Sequence, residues 1–161
     1  MKILTLFVTL LSAAALNLAQ VRKAYIAAAK SEANAEKFAS IVASVKKEDD
    51  NKLFVAYKGC ALTLQSKHSN YLPDKITLMK EGAAFLDHAA AADPQNIEIR
   101  MIRLSVQENV PFIVNYRDNI EEDKALILAN FTKAPKEVRA HVGNYIKLSD
   151  GFSREEKALA K

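Results

Sequence analysis

The chain has a single cysteine, Cys60, and no tryptophan. One thiol excludes an intramolecular disulfide, so packing alone must hold the fold together. Glycine and proline number four each, too few for a turn-rich β-sandwich or for the glycine-rich loops of a nucleotide-binding fold. No segment alternates apolar and polar residues with a period of two, which argues against strands. Beyond the N-terminal stretch, no run is long and apolar enough to cross a bilayer. Charge of one sign is also scarce. The net charge is +4, with acidic residues interspersed among the lysines. Nucleic-acid recognition calls for a clustered basic stripe, so no nucleic-acid partner is expected. Membrane contact is expected to be peripheral at most.

What remains suits a single helical domain. The 161 residues are 50% hydrophobic and 26% charged, with abundant alanine, the best helix former. Met1-Lys2 supplies a positive start, Ile3 to Leu11 an apolar run, and Ser12 to Ala15 small residues. This is the layout of a secretory signal peptide. A cut after Ala15 would have small residues, Ala13 and Ala15, at both required positions. A cut after Ala19 would put Asn17 at the −3 position. Helical patterning resumes at Val21, so the expectation is a signal peptide over 1–19. Residues 20–161 then form one α-helical domain, exported to the periplasm or the exterior.

Apolar residues recur with a helical period throughout. Helices are expected over Val21–Lys30, Ala33–Val45, Leu53–Ser66, Lys75–Ala92 and Ile97–Asn109. Phe38, Ile41, Val42 and Val45 make an i, i+3, i+4, i+7 stripe. Asp74 is placed to cap the helix that carries Ile76, Met79, Ala83, Leu86 and Ala90 on its core face. The helix from Ile97 is apolar on more than one side and is expected to be central. Pro111 interrupts the pattern. Shorter helices follow over Phe112–Tyr116 and Asn119–Asn130. Another opens at Ala134-Pro135 with Val138, Val142, Tyr145 and Leu148 at helical spacing. Ser153-x-x-Glu156 is a capping-box pattern for a short last helix. Gly59 and Gly82 stand inside adjacent helices, where each costs about 1 kcal/mol relative to Ala. They point to a close helix crossing.

Two features between Leu53 and Gln107 resemble a degenerate tetratricopeptide repeat. One is Ala89-Ala90-Ala91-Ala92-Asp93-Pro94-Gln95-Asn96, similar to the repeat's alanine-rich turn followed by Asp-Pro-x-Asn. The other is Tyr57-Lys58-Gly59-Cys60-Ala61, with a small residue in mid-helix. The loop Lys67 to Asp74 is longer than that family's turn, and the aromatic expected after Pro94 is replaced near Arg100. The resemblance covers about a third of the chain. It implies antiparallel helix pairs that present a surface to a peptide or partner protein.

No residue set forms a catalytic signature. His68, His88 and His141 show no metal-ligand spacing and read as surface histidines. Cys60 reads as a buried, inert thiol, with no cation placed to lower its pKa. Glu98 and Glu108 read as ordinary helix-surface charges. Asn130-Phe131-Thr132 matches a glycosylation sequon. The most suggestive set is Asn96, Arg100, Arg103 and Gln107. Their spacing makes a polar seam along an otherwise apolar helix, and arginine forks suit carboxylates. Such a seam would either recognise an acidic or peptide ligand or pair internally with Glu121, Glu122 or Asp123. The sequence therefore points to an all-α domain of about seven helices after the signal peptide, in antiparallel, tetratricopeptide-like pairs, acting as a non-catalytic scaffold or protein/peptide-binding module of the cell envelope, without cofactor or metal. The alternatives are a carrier of an apolar ligand and an enzyme with a dispersed site.

Overall fold

The computed structural model describes residues 16–160. Most of the expected signal segment, 1–15, lies outside these residues. Among them there are eight α-helices and no strands: α1 (Leu18–Ala28), α2 (Glu32–Ile41), α3 (Lys52–His68), α4 (Leu72–Ala92), α5 (Ile97–Asn109), α6 (Ile120–Asn130), α7 (Lys136–Leu148) and α8 (Arg154–Ala158). Two 3-10 turns, Phe112–Val114 and Phe131–Lys133, flank α6. No described helix is long and apolar enough to cross a membrane.

Caps set the helix starts. Asn17, Ser31, Asn51 and Asn96 each accept a backbone N–H of the first turn through the side chain, satisfying donors that the helix cannot pair internally. The Ser153–Glu156 capping box forms in full. Two starts differ from expectation. Helix α1 begins at Leu18, a turn before Val21, because Asn17 supplies the cap. Helix α4 begins at Leu72 rather than Lys75. Pro73 sits in its first turn, where a missing N–H costs nothing, so Asp74 is a first-turn residue and not the cap.

Two pairs of consecutive helices, α3–α4 and α5–α6, pack antiparallel. In α3 and α4, Gly59 meets Gly82 and Leu86, while the Ser66 hydroxyl donates to the Lys75 carbonyl. In α5 and α6, Arg103 meets Asp123 and Gln107 meets Asn119. The glycine crossing is as close as the sequence suggests. A Cβ on Gly59 would stand 2.8 Å from the Gly82 carbonyl oxygen, and a Cβ on Gly82 2.7 Å from that of Gly59.

Helix α5 is the centre. Of its 13 residues, ten are buried, and it contacts α3, α4, α6 and α7. Helices α1 and α7 run in the same direction as α5. Arg22 and Tyr25 of α1 reach Glu98 and Ser105 in that order, and His141 and Tyr145 of α7 lie beside Glu98 and Glu108. The C-terminal ends of α5 and α7 therefore lie at one pole of the bundle. The expected core face of α4 fails at its start. Its opening residues, Tyr71 to Thr77, are all exposed, Ile76 among them. Leu148, which keeps the spacing of a core residue, is also exposed, because α7 buries the face that carries Val142, Ile146 and Ser149.

Candidate functional site

The four seam residues do share one stripe of α5, and the structure turns that stripe inward. Asn96 is the α5 cap. Its side-chain oxygen accepts from the Glu98 and Ile99 amides, and its amide nitrogen donates to Asp93. Arg100 donates through Nη1 to Glu122 and Asp123 at 2.7 and 2.8 Å, and through Nε to the Pro94 carbonyl. Arg103 forks onto Asp123, Nε to Oδ2 at 2.8 Å and Nη2 to Oδ1 at 2.7 Å, and its Nη1 reaches Asp87. The Gln107 amide donates to Asn119. Asp123 is 0% exposed and both arginines are buried. An unpaired carboxylate there would be costly, and two guanidinium groups neutralise it. Each arginine is thus engaged with α6, and the geometry is that of the internal ion-pair network, not of an open recognition seam. Hydrogen bonding to Arg100 holds the Glu122 carboxyl below its ordinary pKa.

A second cluster corrects the reading of Glu98 and His141 as surface groups. Glu98 is 1% exposed. Its carboxylate accepts from Arg22 at 2.8 and 2.5 Å and from the Tyr57 hydroxyl at 2.6 Å. The Tyr57 oxygen lies 3.0 Å from His141 Nε2. Because the Tyr57 proton goes to Glu98, the imidazole must donate to Tyr57, which fixes Nε2 as the protonated nitrogen of neutral His141. Burial pushes the His141 pKa down; Glu98, 3.8 Å away, opposes this. Burial likewise pushes the Tyr57 hydroxyl up. Tyr25 packs edge-on against Tyr57, Phe38 and His141 and donates to Ser105. Four helices, α1, α3, α5 and α7, are thereby tied to one carboxylate.

Glu108, at the other end of α5, is also an anchor and not a free surface charge. It accepts from the Tyr145 and Ser149 hydroxyls. The sequence carried a signal for Glu98. It stands between Ile97 and Ile99 in a helix apolar on nearly every side, away from the arginine stripe, so it had to be buried. Nothing local signalled Arg22, 76 residues away.

Chemically these clusters are clamps. Glu98 is fully committed to Arg22 and Tyr57. Two surface depressions, one between the α2–α3 connector, α3 and α4 and one beside α2 and the end of α3, touch neither Glu98 nor Asp123. The larger, about 480 Å³, is open and rimmed by Lys46, Lys47, Lys58, Glu48 and Glu81. Among the described residues, no group of three His, Cys, Asp or Glu side chains is arranged to hold a metal. Cys60 is buried, and burial pushes its thiol up to about 12, the inert state expected of it. The Asn130 amide of the sequon donates to the Leu126 carbonyl at the end of α6.

No protein-family model, curated protein or solved structure matches this chain.

The surface feature that stands out lies at the pole. The 3-10 turn after α5 holds Phe112 at 86% and Ile113 at 92% exposure. The turn is built, not frayed. Pro111 and Phe112 carbonyls accept from the Val114 and Asn115 amides. Asn115 adopts the left-handed conformation at φ 51°, which asparagine tolerates better than most residues. Tyr116 is tied to Asp87, and Arg117 to the Val110 carbonyl. Leu148 adds exposed apolar surface at the same pole, and Tyr71, Leu72 and Ile76 are exposed at the start of α4.

Proposed function

We propose that this protein is an exported, non-catalytic module of the cell envelope that binds a partner protein through the apolar pole of its bundle. The observation that carries the reading is the Phe112–Ile113 turn, which displays two large apolar side chains almost fully to water on a pinned backbone. Large exposed apolar groups on a fixed scaffold mark interaction surfaces more often than accidents of packing. The charges that follow the turn, Arg117 and Asp118, are opposite in sign, which suits the polar rim of a protein interface better than an anionic lipid surface. The antiparallel pairs α3–α4 and α5–α6, with α1 packed on α2, support a short tetratricopeptide-like array as the scaffold. The signal-like N-terminus supports export.

The test uses a photo-crosslinker at Asn115 in the envelope of the producing cell, with and without Phe112→Asp and Ile113→Asp. The expected outcome is a discrete adduct that the double variant loses while its helical circular dichroism is unchanged. An adduct equally strong in the double variant refutes the reading. So does an adduct replaced by tight flotation of the purified protein with anionic vesicles, which would make the partner a membrane.

A further inference from the structure

We infer that processing cuts the Ala15–Leu16 bond, so that the mature chain begins at Leu16; this rests on the export reading above. Two sequence positions admit a cut, after Ala15 and after Ala19, and the fold distinguishes them. Asn17 is the α1 cap. Its side chain accepts from the Gln20 amide at 3.1 Å, and its carbonyl accepts from the Val21 amide at 3.0 Å. Leu16 and Leu18 are partly buried against the core. The Ala19–Gln20 bond lies inside the first turn of the helix.

A cut after Ala19 would remove the cap and both leucines. It would also place a new α-ammonium group at the first turn of α1, where the helix dipole disfavours positive charge. Arg22, which neutralises buried Glu98, would then stand next to that frayed end. A cut after Ala15 leaves the Asn17 cap and both leucines on the mature chain. The new ammonium falls outside the cap, and Ala13 and Ala15 supply small residues at both positions a signal peptidase reads. With a cut after Ala19, the −3 position is Asn17, the residue the helix needs.

The experiment is to express the full chain in a bacterium with an intact secretory pathway and to determine the N-terminus of the envelope-fraction protein by intact mass and sequencing. The expected product begins Leu-Asn-Leu-Ala-Gln. A product beginning at Gln20 overturns the inference while leaving export standing. A chain that keeps Met1 in the cytoplasm overturns the export reading itself. Two variants separate the sites further. Ala15→Tyr is expected to accumulate uncleaved precursor, whereas Ala19→Tyr still yields a chain starting at Leu16. The opposite pattern assigns the cut to Ala19.

Discussion

Replacing Gly59 with alanine tests the central packing contact of the fold. In isolation the change favours the helix by about 1 kcal/mol, because glycine loses more backbone freedom on folding. The structure says the opposite effect dominates. The new methyl would lie 2.8 Å from the Gly82 oxygen, 2.9 Å from Leu86 Cγ and 3.0 Å from the Leu86 nitrogen. Two of these three atoms are backbone and cannot rotate away. Restoring ordinary contact, about 3.5 Å, asks α3 and α4 to part by several tenths of an ångström along their whole shared face. Overpacking of this kind costs roughly 1–3 kcal/mol, and the backbone obstruction puts it at the upper end. Net destabilisation of about 1–2 kcal/mol follows, seen as a fall in Tm of about 3–8 °C. Gly143 is the control. Its nearest obstruction is the Phe131 ring tip at 3.1 Å, a side chain that can tilt, so Gly143→Ala is expected to leave Tm unchanged or raise it. Thermal denaturation followed by circular dichroism reads both. A Gly59→Ala protein that melts above the wild type refutes the close-crossing argument. The double variant Gly59→Ala, Gly82→Ala is expected to cost less than the two singles added, since helices already parted by one methyl admit the second more easily.

Three other outcomes follow from the buried polar groups and the first cap. Asp123→Asn leaves two guanidinium groups facing each other without their shared anion, and chemical denaturation should show a loss of about 3–5 kcal/mol. Because burial holds His141 below its ordinary pKa, the unfolded chain takes up that proton first as pH falls. Stability present above the ordinary histidine value, about 6.5, is therefore lost as pH drops below it, by at most about 1.4 kcal/mol per unit. His141→Gln should flatten this slope in urea titrations at several pH values, and an unchanged slope would assign it elsewhere. Asn17→Ala removes the α1 cap and should cost about 1 kcal/mol, with hydrogen exchange speeding first at Leu18 to Val21.

Much of the fold was legible in the sequence because helical periodicity is a local signal. Gly59 and Gly82 announced their crossing, Ser153 and Glu156 their capping box, and the arginines of α5 had their acidic partners marked within 23 residues. The misreadings share one cause, which is distance along the chain. Ile76 and Leu148 keep core spacing yet are exposed, since periodicity cannot reveal which stretch of a helix face finds a neighbour. Glu98 and His141 looked like ordinary surface charges, since Arg22 and Tyr57, which bury them, lie 76 and 84 positions away from their respective partners. The exposed turn at Phe112 was expected as a helix continuing to Tyr116. Asn115 stops it by turning left-handed, a choice that asparagine permits but does not dictate.

The clamp on Glu98 has a consequence in time. During synthesis Arg22 emerges long before its carboxylate does, and the carboxylate is made well before His141. The four-helix clamp can therefore close only once α7 has been made, whereas the α3–α4 pair needs nothing that follows it.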